Sequence, residues 1–84
     1  MKNNRLKPEN DVRIELYFDG KLQDSYQGSG YSTVEQAIDA AYAGTHVNHL
    51  NIEDYVFRVT DLTTGTSARY RINAGGHVRI LPEE

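Results

Sequence analysis

Cysteine is absent from this 84-residue chain, and with it go a disulfide framework, a thiolate metal site and a cysteine nucleophile. The absence fits a reducing compartment, so a cytoplasmic location is expected. Long apolar runs are absent too. The opening Met1-Lys2-Asn3-Asn4-Arg5-Leu6-Lys7-Pro8 has basic residues with no apolar stretch behind them, so it reads neither as a signal peptide nor as a membrane span, and no membrane association is expected. A basic excess is also lacking: 12 acidic residues against 9 basic ones leave a net charge of −3, whereas a dedicated nucleic-acid binder is expected to carry a basic footprint. Internal repeats and low-complexity tracts are missing. A chain this short makes at most one domain, and it buries a smaller share of its surface than a larger one, so its stability margin is thin. Residues 1–10 are expected to form a disordered tail and residues 11–84 the domain.

Helical signal is scarce, and what there is lies in one place. Across Ser32–Gly44, Val34, Ala37, Ile38, Ala41 and Tyr42 recur at the spacing that puts them on one stripe, away from Glu35, Gln36, Asp39 and Ala40. Ser32 followed three residues later by Glu35 reads as a capping box, and Gly44 as a left-handed exit.

The other segments read as strands and turns. Residues 12–18 alternate apolar and polar side chains, as a strand with one buried face does. Asp19-Gly20 turns the chain. A two-residue turn would set Leu22 opposite Tyr17, away from the core, so a three-residue loop Phe18-Asp19-Gly20 with Leu22 opposite Leu16 is expected. In that register Leu22 and Tyr26 join the core face, and Asp24, a misfit there, belongs at an edge or a bulge. Strands are expected over 55–60, 67–73 and 77–81, with a two-residue turn at Thr64-Gly65 and a three-residue loop at Ala74-Gly75-Gly76. These registers pair Val59 with Tyr70, Phe57 with Ile72, Ile72 with Val78 and Tyr70 with Ile80. The fold class is therefore α+β: a two-layer ββαβββ domain, a single helix packed on an antiparallel sheet of up to five strands.

Chemistry is the least legible layer. Gly28-Ser29-Gly30 before the helix lacks the lysine of a phosphate-binding loop and the third glycine of a dinucleotide fingerprint, so it reads as a linker. His46, His49 and His77 could form a metal site, but no HExxH arrangement accompanies them and none is expected. No nucleophile with a base and no pair of separated carboxylates is evident; neither catalysis nor a cofactor is expected.

One surface stands out. The expected registers set Arg58 across from Arg71 and Arg71 across from Arg79, with Arg69 and His77 on the same face. Like charges directly opposite on a sheet are destabilising, so the row needs a counter-charge, such as Glu15, or a use. Arg58, Arg69, Arg71, Arg79 and His77 are thus the candidate binding residues, for an anion or an acidic partner. The expectation is a non-enzymatic protein-binding or regulatory module, an accessory, adaptor or inhibitor protein, for instance one encoded by a mobile element. The alternative is a nucleic-acid-binding protein that uses the arginine face, with Tyr17 as a stacking side chain. One helix cannot cover five strands, so a homodimer through the uncovered apolar sheet face is also expected.

Overall fold

The computed structural model describes residues 5–45, 51–73 and 75–82. Five strands, β1 (Val12–Phe18), β2 (Lys21–Gly28), β3 (Val56–Asp61), β4 (Ser67–Ile72) and β5 (Val78–Leu81), form one antiparallel sheet in the order β2-β1-β3-β4-β5. One helix, α1 (Val34–Gly44), packs on β1 and β3, and a single 3-10 turn, Ile52–Asp54, leads into β3. The ββαβββ two-layer α+β arrangement is the one the hydrophobic patterning predicts.

The helix buries the expected stripe of Val34, Ala37, Ile38 and Ala41, while Tyr42 is half-buried and meets Tyr55 edge-on at 6.1 Å between ring centres. Both of its ends differ from expectation. The N-cap is Thr33, whose Oγ1 accepts from the Gln36 N–H at 3.2 Å, and the Gln36 Oε1 accepts from the Ser32 N–H at 2.7 Å. Threonine and glutamine thus do what Ser32 and Glu35 were expected to do, one residue later. Gly44 is the last helical residue and has no positive φ; the helix closes through the Thr45 N–H, which donates to the Tyr42 carbonyl at 3.2 Å. A side chain at Gly44 would place its Cβ 3.1 Å from Cε2 of Tyr26. Glycine at this position admits the tyrosine ring of β2 against the helix end.

The first hairpin corrects the expected loop. Phe18 pairs with Lys21 around a two-residue turn in which Asp19 (φ 54) and Gly20 (φ 76) are both left-handed, as a type I′ turn requires. Leu22 does fall opposite Tyr17, off the core, and is 52% exposed. A bulge at Gln23 then restores the alternation, so that Leu16 pairs with Asp24 and Ile14 with Tyr26. Asp24 sits beside this bulge on an edge strand, as its polarity demands. Its Oδ2 accepts from the Tyr26 hydroxyl at 3.0 Å and from the Thr45 hydroxyl at 3.1 Å. Burial, and then the Asp24 carboxylate, push the Tyr26 hydroxyl above its ordinary pKa.

The β3–β4 connection is a four-residue loop, 62–65, in place of the two-residue turn. Asp61 is the reason. Its Oδ1 accepts from the Thr63 and Thr64 N–H groups at 2.9 and 3.1 Å, and the Asp61 carbonyl accepts from the Gly65 N–H at 2.7 Å. The register moves by two, pairing Phe57 with Tyr70 and Val59 with Ala68. A shift of two keeps every side chain on its expected face. The β4–β5 register is as expected, with Ile72 opposite Val78 and Tyr70 opposite Ile80, closed by the Asn73 N–H donating to the His77 carbonyl at 2.9 Å.

Residues 5–10, expected within a disordered tail, are docked. Arg5 bridges Thr33, the Leu6 N–H donates to the Ser32 carbonyl at 2.9 Å, and the Gly30 N–H donates to the Pro8 carbonyl at 2.8 Å. Asn10 is buried and its Nδ2 donates to the Asp61 Oδ2 at 2.9 Å. This arm also answers how a narrow helix closes a wide sheet. Leu6 lies with Val34, Val59 and Tyr70 around a small groove of about 180 Å³, and Ile52 of the 3-10 turn packs against the core from the other end. Phe57, Val59, Tyr70 and Ile72 are therefore buried within a single chain; Val78 is half-buried and only Ile80 of the expected patch is largely exposed. The uncovered apolar face on which the homodimer expectation rested is not there.

Two predictions follow from this packing. Ile38→Ala should cost about 2 to 5 kcal/mol, because it opens a cavity at the centre of the helix–sheet contact, while Asp39→Ala on the exposed side should change stability by no more than about 0.5 kcal/mol; denaturant unfolding of the two variants checks this. The Asn10 carboxamide, with the Thr64 and Thr63 N–H groups behind it, holds the Asp61 carboxyl below its ordinary value of 3.8. A depressed native value means that Asp61 contributes stability above pH 3.8 and that this is lost as the pH falls through the lowered value. Thermal melts against pH should show Asn10→Ala less stable near neutrality and with a smaller acid-induced loss from this group.

Candidate binding face

The helix, the arm and the 3-10 turn all cover the same side of the sheet, and the alternation that buries Val12, Ile14, Leu16, Phe57, Val59, Tyr70 and Ile72 sends their neighbours to the other. Arg13, Glu15 and Tyr17 of β1, Val56, Arg58 and Thr60 of β3, Arg69 and Arg71 of β4, and Arg79 of β5 share this open face. Five of the six arginines in the chain are thus on it. Among the described acidic residues within strands, Glu15 alone shares it; Asp24 and Asp61 are on the covered side. In a chain of net charge −3 this face is locally basic, with five arginines against Glu15 within its strands.

The expected row is broken into two pairs. The four-residue loop sets Arg58 opposite Arg69, while Arg71 faces Arg79 as expected. Glu15 pairs with Arg58 across β1 and β3, so the counter-charge anticipated from the first hairpin stands beside that arginine. The guanidinium groups are also oriented by neutral acceptors: Arg58 Nη1 donates to the Ser67 Oγ at 3.2 Å, Arg69 Nη2 to the Pro82 carbonyl at 2.6 Å and Arg71 Nη1 to the Glu53 carbonyl at 3.1 Å. A guanidinium has five N–H donors, and the Arg58 bond uses one of them. His77 is exposed at the start of β5. His46 and His49 lie outside the described residues, and among the described residues no group of three histidines or carboxylates could hold a metal ion.

Reading the residues placed Tyr17 with this face but missed Val56, Leu22 and the cleft. Tyr17, Gly20, Val56, Arg58 and Arg69 line a cleft of about 350 Å³. Leu22, opposite Tyr17, extends the apolar strip. The Asp-Gly turn was the available signal, because a type I′ turn there requires Leu22 on this face. Arg13 was legible as a polar strand position but was not grouped with the others. In the glycine linker before the helix the Gly30 N–H donates to the Pro8 carbonyl, and at the helix start the Gln36 N–H donates to the Thr33 Oγ1. No protein-family model, curated protein or solved structure matches the chain.

Arg71 tests how much of this face is structural. Arg71→Thr removes an exposed bond to the 3-10 turn and relieves repulsion with Arg79, so stability should fall by no more than about 1 kcal/mol. Denaturant unfolding is the check; a larger loss would mean that the arginine is chiefly a clamp for residues 52–54.

Proposed function

We propose that this protein is a non-enzymatic binding module that engages another protein through the arginine-bearing open face of its sheet, in an accessory, adaptor or inhibitory role. The concentration of arginine on one face carries the reading. Five arginines on a face that no described element covers repel one another, and an acidic partner would turn that cost into attraction and specificity. Among the described residues the cleft lining includes no carboxylate and no imidazole, which suits recognition better than acid–base chemistry. Nucleic acid is the second reading, favoured by Tyr17 beside Arg58 and Arg69. Single-stranded nucleic acids stack successive bases on several aromatic side chains. Here Tyr17 is the one aromatic residue within the strands on the open face, and the net charge is acidic. Both observations weigh toward a protein partner.

Affinity capture from the source cells, with and without nuclease, tests the choice. The expected result is a protein retained after nuclease treatment, lost on Arg58→Glu with Arg79→Glu, and unaffected by Asp39→Ala on the helix side. Retention that nuclease abolishes, with a salt dependence that weakens by roughly one unit per lost arginine contact, would favour nucleic acid.

A further inference from the structure

The open face is mixed rather than simply basic, and the mixture specifies what can sit on it. Tyr17 and Val56 are paired across β1 and β3, and Arg58 and Arg69 are paired across β3 and β4, so two apolar side chains and two guanidinium groups stand side by side around one cleft. Gly20 leaves its mouth open: no atom lies within 4 Å of where a Cβ would be. The volume of about 350 Å³ is at the lower end of the roughly 300 to 1,000 Å³ of ligand sites. That suits one large side chain better than an extended cofactor. The stems of the arginines can add apolar wall, while Arg58 Nη1 donates to the Ser67 Oγ and Arg69 Nη2 to the Pro82 carbonyl.

We propose that this cleft receives a single leucine, isoleucine or phenylalanine side chain from an acidic segment of a partner protein, with a carboxylate two residues away meeting Arg58. The inference rests on the protein-binding reading above. The spacing follows from strand geometry. Val56 and Arg58 are two residues apart on β3, about 6.6 Å, and an extended segment repeats that distance between successive side chains on one side. An apolar anchor over Tyr17 and Val56 then places an aspartate or glutamate two residues on at the Arg58 fork, which takes carboxylates in paired hydrogen bonds. Arg13, two residues from Glu15 on β1, and the Arg71–Arg79 pair on the far strands favour further acidic residues along the segment. A free inorganic anion would leave Tyr17, Val56 and Leu22 uncovered. A run of bases would find a branched aliphatic side chain where it needs a ring. An acidic peptide with one apolar anchor satisfies both halves of the site.

The test is selection of a displayed random dodecapeptide library on the immobilised full-length chain, in parallel with a pool of random single-stranded oligonucleotides. Peptides enriched for Leu, Ile or Phe two residues from Asp or Glu are expected. For a synthetic copy of an enriched peptide, replacing the anchor by alanine should weaken binding about tenfold, the range of a buried apolar anchor. Tyr17→Ser and Arg58→Gln should do likewise, with circular dichroism and thermal melts confirming that each variant is folded; the alanine peptide needs no change to the protein at all. Acidic peptides that bind as well without an anchor would overturn the cleft and leave the protein-binding face standing. Enriched peptides indifferent to Tyr17→Ser and Arg58→Gln, enrichment of oligonucleotides alone, or enrichment of neither pool would overturn the cleft and the protein-binding reading together.

Discussion

A five-stranded sheet is about 24 Å across and a helix with its side chains about 10 to 12 Å, and most of this structure is a response to that mismatch. With one helix available, the core side has to be finished by whatever chain is left over. The N-terminal arm supplies Leu6 near β4, and the turn before β3 supplies Ile52. The arm needs fixing in place, which is what Asn10 to Asp61 and Gly30 to Pro8 do. Among the described residues nothing remains to cover the other side. The bare arginine face is in this sense a product of the same shortage, since all the covering material in the described chain is spent on one layer.

The layers were legible because they depend on period. The 3.6-residue stripe over 34–42 and the two-residue alternation of the strands are backbone properties that neighbouring residues report directly. Registers were less legible because they depend on single side chains acting as backbone substitutes. Asp19 accepts a left-handed conformation that was assigned to Gly20 alone, and the bulge at Gln23 repairs the alternation that the short turn disrupts. Asp61 draws two loop N–H groups to its carboxylate and lengthens the next loop by two residues. The arm was the least legible element of all. Its four polar or charged residues among six from Arg5 to Asn10 suggest a tail, and only long-range partners such as Asp61 and Ser32 make it a part of the fold.

The arginine face shows how these differences propagate. An even register shift leaves Arg58, Arg69, Arg71 and Arg79 together on the open side, which is why they could be grouped from the pattern alone. Their partners changed with the shift, so the continuous row became two pairs, one of them flanked by Glu15. The apolar component, Tyr17 and Val56, is joined on the open side by Leu22, whose assignment followed the first turn. A side chain that looked like core became surface beside an apolar pair.

The two margins of the sheet carry a last consequence. On one side β2 is interrupted by its bulge; on the other β5 runs for only four residues before Pro82. Neither offers a long, regular ladder for a foreign strand to join. A partner of the kind proposed would therefore be met by side-chain matching on the sheet face, and not by backbone pairing, which is nearly blind to sequence. A surface of that kind can be retuned to a new partner by exchanging a few outward residues, with the core, the turns and the helix left as they are.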